Sequence, residues 1–187
     1  MEHTCMRKEI LLLGNPLLRE KCKIVDNFND QAIKDEITEL KDALEEFRKI
    51  NGFGRGTAAI QIGILKRMIA LNLGKGTFVI INPIITWKSK ETFTLWDDCM
   101  SFPDLLVRVS RHKTINIEYQ DENGMIKKWD TIGQAESELL QHEIDHLDGV
   151  LAIDRVIDTK DIIYKIAFEK ERSYYERKVE YVIKPTI

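Results

Sequence analysis

The run His142-Glu143-Ile144-Asp145-His146 constrains this chain more than any other stretch. Residues four apart share a face on an α-helix, so a helix here sets the two imidazoles one turn apart. Two neutral imidazoles so placed can hold one divalent metal ion. The glutamate beside the first projects near the ion's open side, where it can take a proton from a water. That is hydrolytic chemistry, and a third ligand elsewhere in the chain would separate it from the bland alternative of a solvated helix with two incidental histidines.

The chain length of 187 residues, 43% hydrophobic and 32% charged, suits one compact domain with a real core, so residues 1–187 are read as a single catalytic domain. A net charge of -3 and a pI near 5.9 argue against nucleic acid or an anionic membrane as the main partner. The apolar runs Phe78 to Ile81 and Pro83 to Ile85 are far too short to span a bilayer, and Met1-Glu2-His3-Thr4-Cys5 has no signal-peptide architecture. The expected location is the cytoplasm. Cys5, Cys22 and Cys99 are odd in number and irregularly spaced, which is no disulfide framework and leaves a thiol free for chemistry.

Along the chain, Ile10 to Leu13 reads as a short strand or extended arm, turned by Gly14-Asn15-Pro16. Ile33, Ile37, Leu40, Leu44 and Phe47 alternate in spacings of four and three, which predicts an amphipathic helix from Asn29 to Ile50, closed by Asn51-Gly52. The loop Gly52-Phe53-Gly54-Arg55-Gly56 leads through small residues to Gln61, and its glycines would let another backbone approach closely. Met68 to Leu73, Phe78 to Ile81, Ile84 to Trp87 and Thr92 to Trp96 read as short antiparallel strands, with a turn expected at Asn82-Pro83. Asp97-Asp98-Cys99 then ends a strand with two carboxylates and a thiol. A lone cysteine is more often an inert core residue than a ligand, but the helix motif needs a third donor, and Cys99, the cysteine expected well inside the fold, is the candidate. Thr114 to Tyr119 and Met125 to Ile132 form a hairpin about Asn123-Gly124, and His112 is expected at the surface. The motif helix should run from Gln134 to Leu147 and stop at Gly149, with Leu139, Leu140, Ile144 and Leu147 inside. A second long helix is expected from Asp158, burying Ile162, Ile163, Ile166 and Ala167.

Taken together, three stretches resemble the peptide deformylase family. Gly54-Arg55-Gly56-Thr57-Ala58-Ala59-Ile60-Gln61 is similar to its first motif, Asp97-Asp98-Cys99-Met100-Ser101 to its second, and Gln141 to His146 to its third. Leu11 to Arg19 and Gly149 to Arg155 also look like family sequence, so the resemblance covers most of the chain. It implies an α+β fold with small antiparallel sheets around the central motif helix and a C-terminal helix. It further implies Fe(II), replaceable by zinc, nickel or cobalt, on Cys99, His142 and His146. Glu143 is implied as the base that activates water toward a formyl carbon and then protonates the departing amine. The Gln61 amide and the Met100 backbone N–H are implied as donors to the oxyanion. The implied substrate is the N-formylmethionine end of a nascent polypeptide, met at the ribosome and lying beside Gly56. Gly54, Arg55, Asp97, Asp98 and Glu138 complete the expected substrate contacts.

Several positions depart from the family pattern. Thr57 replaces an apolar residue, Asp97 is shorter than the usual glutamate, and Asp98 stands where glycine is usual. Glu138, one turn before His142, and Arg55 both occupy wall positions that are usually apolar. Drift in a working deformylase would leave Glu138 turned to solvent or paired with a lysine. An unpartnered buried carboxylate is costly, so a Glu138 that faces the pocket is instead expected to pair with Arg55 across the pocket mouth, making the pocket smaller or more polar. The helix motif alone is shared with zinc endopeptidases, and a deformylase-like binding protein without catalysis is the other alternative; turnover separates them.

Overall fold

The computed structural model of the protein describes residues 9–184, and its first helix forms where the apolar spacing predicts one. Helix α1 (Gln31–Asn51) starts at Asp30, whose side chain accepts from the Ala32 N–H at 3.0 Å, and stops at Gly52 with φ +73°. Left-handed backbone of that kind is cheap only without a Cβ. Ile33, Ile37, Leu40 and Leu44 are buried as expected, while Phe47, the end of the same stripe, is only partly covered.

The strands make two antiparallel sheets. One has five strands in the order β1 (Gly56–Ala58), β2 (Met68–Asn72), β3 (Thr77–Lys88), β6 (Ile115–Gln120) and β7 (Ile126–Ile132). The other has β4 (Thr92–Asp97), β5 (Leu105–His112) and β8 (Ile162–Tyr164). Strand β2 is buried on both faces because successive side chains point to opposite sides. Met68 and Ala70 pack with Val79 and Ile81 against α1. Ile69 and Leu71 pack with Ile80, Ile115 and Ile117 against helix α2 (Gln134–Leu147), through Leu139, Leu140, Ile144 and Leu147. The far side of α2 meets β5, where Ser137 Oγ donates to the His112 carbonyl at 2.7 Å and Gln141 Oε1 accepts from the His112 N–H at 3.0 Å. Helix α2 is thereby held between the two sheets. Its end is fixed by Gly149 at φ +73°, where an added Cβ would sit 2.4 Å from the Arg19 carbonyl oxygen.

Three expectations need correction. Asn82-Pro83 does not turn the chain; β3 runs through it, and Asn82 at φ +52° absorbs a register shift between Ile81 and Ile84. Its side chain bonds both the N–H and the carbonyl of Val25 and reaches Gln120, which explains why an αL residue is tolerated mid-strand. Strand β5 forms in a stretch where no element is expected, although Leu105, Val107 and Val109 alternate along it. The long helix from Asp158 does not form. Asp158 instead caps a short 3-10 turn, and the β-branched and aromatic run Ile162–Tyr164 pairs with β5. Only then do the short helices α3 (Lys165–Lys170) and α4 (Arg172–Glu176) follow, with Phe168 buried and Ile166 exposed. Finally, Cys22 is as buried as Cys99, and burial pushes its thiol up to about 11. His3 and Cys5 lie outside the described residues.

Candidate active site

Helix α2 buries six polar side chains (Ser137, Glu138, Gln141, His142, Glu143 and His146) beside four apolar ones. Buried polar groups are costly without partners, so the partners define the site. Ser137 and Gln141 are satisfied by the His112 backbone, Glu138 by Arg55 and His142 by Asp97. Among the described residues, three buried polar atoms have no partner: Glu143 Oε2, His146 Nδ1 and Arg111 Nε.

His142 Nδ1 lies 3.0 Å from Asp97 Oδ1, which turns Nε2 toward His146. The two Nε2 atoms are 3.1 Å apart, and Cys99 Sγ is 3.3 Å from His146 Nε2. All three donor atoms lie within 4.8 Å of one another, and all three residues are buried. A tetrahedral ion with bonds of about 2.0–2.3 Å sets its ligands roughly 3.4–3.6 Å apart, so this set fits one divalent metal with a position left open. A thiolate with two imidazoles suits a borderline-soft ion. Burial opposes charge on His142, yet the Asp97 carboxylate outweighs it and holds the imidazole well above its usual range. His146, by burial and by the neighbouring His142, is pushed well below. One imidazole is thus held neutral, and the other must yield a proton when a metal binds.

Glu143 and Gln61 line the same cavity as Cys99 and His142. Burial pushes the Glu143 carboxyl up to about 7. Gln61 is oriented by its own Oε1, which accepts from the Ala58 N–H at 2.9 Å, so that Nε2 points at Ser101 Oγ (3.2 Å) and Cys99 Sγ (3.6 Å). The Ser101 N–H also reaches Sγ at 3.4 Å. Gly56 lies against Glu143: an added Cβ would be 3.0 Å from Oε1 and 3.2 Å from the Leu139 methyl.

Asp97, grouped in the sequence with the substrate contacts, gives its carboxylate to His142 and to Arg111 Nη2 at 3.1 Å. Burial would raise its carboxyl, but His142 and Arg111 pull it down to about 2. Arg111 Nη1 also holds Asp145 at 2.5 Å, and Asp145 is held in turn by Arg155 at 2.8 Å. Sequence reasoning missed Arg111. The signal was its parity: Val107, Val109 and Arg111 share the inward face of β5, so a charge there had to meet a carboxylate inside.

Arg55 and Glu138 do pair. Arg55 Nη2 donates to Glu138 Oε1, Nη1 donates to the Ala135 carbonyl at 2.9 Å, and the Arg55 side chain is partly buried and that of Glu138 fully, at 12% and 2% exposure. Burial pushes the Glu138 carboxyl up to about 7 despite that guanidinium. Thr57, polar where an apolar residue was expected, donates its hydroxyl to Met100 Sδ at 3.1 Å. Asp98 is half-buried at the rim, and Gly54 takes φ +135°. Gly54, Arg55, Asp98 and Glu138, with Cys99 and His142 of the donor cluster, line one cavity of about 450 Å³, whose outer wall is built by α3, α4 and the tail through Phe168, Arg172 and Tyr181.

Comparison with known proteins gives a consistent result. The family model for polypeptide deformylase matches residues 7–161. The chain is 39% identical over 152 residues to a peptide deformylase of Heliobacterium modesticaldum, covering 79% of this chain and 93% of that one. It is 33% identical over 156 residues to one of Thermotoga neapolitana, covering 83% and 91%. Its fold is similar to the crystal structure of peptide deformylase from Thermotoga maritima, with a TM-score of 0.73 and 34% identity over 81% of this chain and 98% of that one.

Proposed function

The chain belongs to the polypeptide deformylase family, and from that premise we propose which of its residues carry the reaction. The family consists of hydrolases that use one divalent metal to remove the N-formyl group from nascent polypeptides. In our reading Cys99, His142 and His146 hold that metal, and the native ion is Fe(II), with zinc, nickel or cobalt able to stand in. The observation that carries this reading is the convergence of one thiol and two imidazole nitrogens beside a Glu143 oxygen with no protein partner. When bound, the ion supplies Lewis acidity that readies a water for attack near neutral pH.

The protein's own groups do the rest. Glu143 takes a proton from the attacking water at Oε2 and delivers it to the amine nitrogen as the formyl C–N bond breaks, leaving formate and a free amine. Gln61 Nε2 and the Met100 N–H donate to the oxygen that gains charge at the formyl carbon. Asp97 acts through His142, keeping Nδ1 protonated so that the Nε2 lone pair is free for a metal. Gly54, Gly56 and Asp98 border the extended substrate backbone, with Arg55 and Glu138 beside its first side chain. All 187 residues serve this one catalytic domain, which meets formylmethionine ends at the ribosome in the cytoplasm and needs neither nucleic acid nor a membrane surface. No described helix is long and apolar enough to cross a membrane.

Replacing Gln61 by alanine tests the oxyanion role. Loss of one such donor costs about 2.7–4 kcal/mol of transition-state stabilisation, so kcat on formyl-Met-Ala-Ser should fall about 10²–10³-fold with KM and bound metal little changed. A loss confined to KM, or a loss of metal, would remove Gln61 from that role.

A further inference from the structure

The cavity wall nearest the donor cluster carries the Arg55–Glu138 ion pair, placed above beside the substrate's first side chain but with no part in breaking the formyl bond. We propose that the Arg55–Glu138 pair, with Tyr181 as a third wall, changes which first side chain this subsite accepts. The subsite selects a neutral, hydrogen-bonding side chain of about methionine's length, such as a primary amide, over a purely apolar one. This inference rests on the deformylase reading.

Position comes first. Glu138 precedes His142 by one turn on the same face, a rise of ~6 Å. Arg55 adjoins Gly56, whose bare Cα faces Glu143 and Leu139. A formyl carbon held over Glu143, on a backbone running beside Gly56, therefore sends the next side chain against residues 55 and 138. The third wall is Tyr181. It is pinned along β4, because the N–H groups of Glu180 and Tyr181 both donate to the Thr94 carbonyl at 3.1 Å and the Thr94 N–H donates to Glu180 Oε2 at 2.9 Å. This tail lies beyond residues 7–161, which the family model matches.

Chemistry decides what fits. Among the described residues Arg55 spends two hydrogen bonds, one on Ala135 and one on Glu138, of the five N–H groups a guanidinium carries. An aliphatic side chain laid over the pair strips its remaining water and returns no hydrogen bond. A glutamine-like amide does return them, accepting from Arg55 through its carbonyl and donating to Glu138 through its NH₂. The pair is neutral as a unit, and a neutral guest leaves it so. Sites built to hydrogen-bond a substrate reject analogues that lack the partner far more strongly than apolar pockets reject a size change.

The test compares kcat/KM for formyl-Gln-Ala-Ser and formyl-norleucine-Ala-Ser, with formyl-Met-Ala-Ser as reference, in wild type and in the double variant Arg55→Ile/Glu138→Ile. Removing both charges leaves no lone buried ion. The wild type is expected to process the glutamine substrate at least as well as the norleucine one. The double variant is expected to shift that ratio toward norleucine by about ten-fold or more, mainly through KM. Preference of the wild type for norleucine overturns the proposal, as does an unchanged ratio in a folded double variant. Should the double variant not fold, the wild-type order alone decides. Turnover of none of the three peptides would instead overturn the deformylase reading and this proposal with it.

Discussion

Glu143→Gln is expected to lower kcat for deformylation by about 10²–10⁴-fold, the usual contribution of a positioned acid–base group. At 1.36 kcal/mol per decade this is roughly 2.7–5.4 kcal/mol of barrier. The amide keeps the shape of the side chain but cannot accept a proton at the oxygen that now lacks a protein partner. None of Cys99, His142 or His146 changes, so metal per chain should stay the same. Stability should not suffer, because burial already disfavours the charged carboxylate at this position. Formate release and metal content measured on the same preparation check the expectation. Activity within ten-fold of wild type at full metal content would remove Glu143 from proton transfer.

The largest stability effect is expected at Arg111→Met. Arg111 is 4% exposed and bridges Asp97 and Asp145, one on each guanidinium nitrogen. Taking it away leaves the buried Asp97 and the partly buried Asp145 each short of a partner, a change that typically costs about 3–5 kcal/mol. For a chain of this size that lowers Tm by roughly 6–20 °C. Because Asp97 also orients His142, metal affinity should fall about 10–100-fold as well. Arg155→Met is the control: Arg155 touches the same Asp145 but is half exposed, so its loss should cost under about 1 kcal/mol. Equal melting temperatures for the two variants would show that the Asp97–Arg111–Asp145 chain does not hold the site together.

The parts of the site legible in the sequence were those fixed by short-range spacing. Helix α2 runs over the expected Gln134–Leu147 because the four-residue repeat of histidines and the stop at Gly149 both act locally. Cys99, Gln61 and the two histidines come together as their motif order implied. Polar residues buried for a partner were harder to read. Glu138 pointed to Arg55 because an unpaired buried carboxylate is costly, and the two do pair. Asp97 was assigned to the substrate because its partner Arg111 sits on a strand that was not recognised, and a long-range ion pair leaves no trace in local spacing. The fold was misread for a related reason. Asn82-Pro83 carries a turn signal, but the two bonds from Asn82 to Val25 convert it into a bulge within β3. Ile162–Tyr164 fits a helical stripe on paper, yet the open edge of β5 takes it as a strand. In both cases a tertiary partner overrode the local preference.

The most direct measurement is multiple-turnover release of formate from formyl-Met-Ala-Ser by protein prepared without oxygen and loaded with Fe(II), with metal per chain determined on the same sample. One ion per chain and sustained formate release are expected, and both should be lost together in Cys99→Ala. One tightly held ion with no formate released would contradict this reading and leave a metal-binding protein without the reaction.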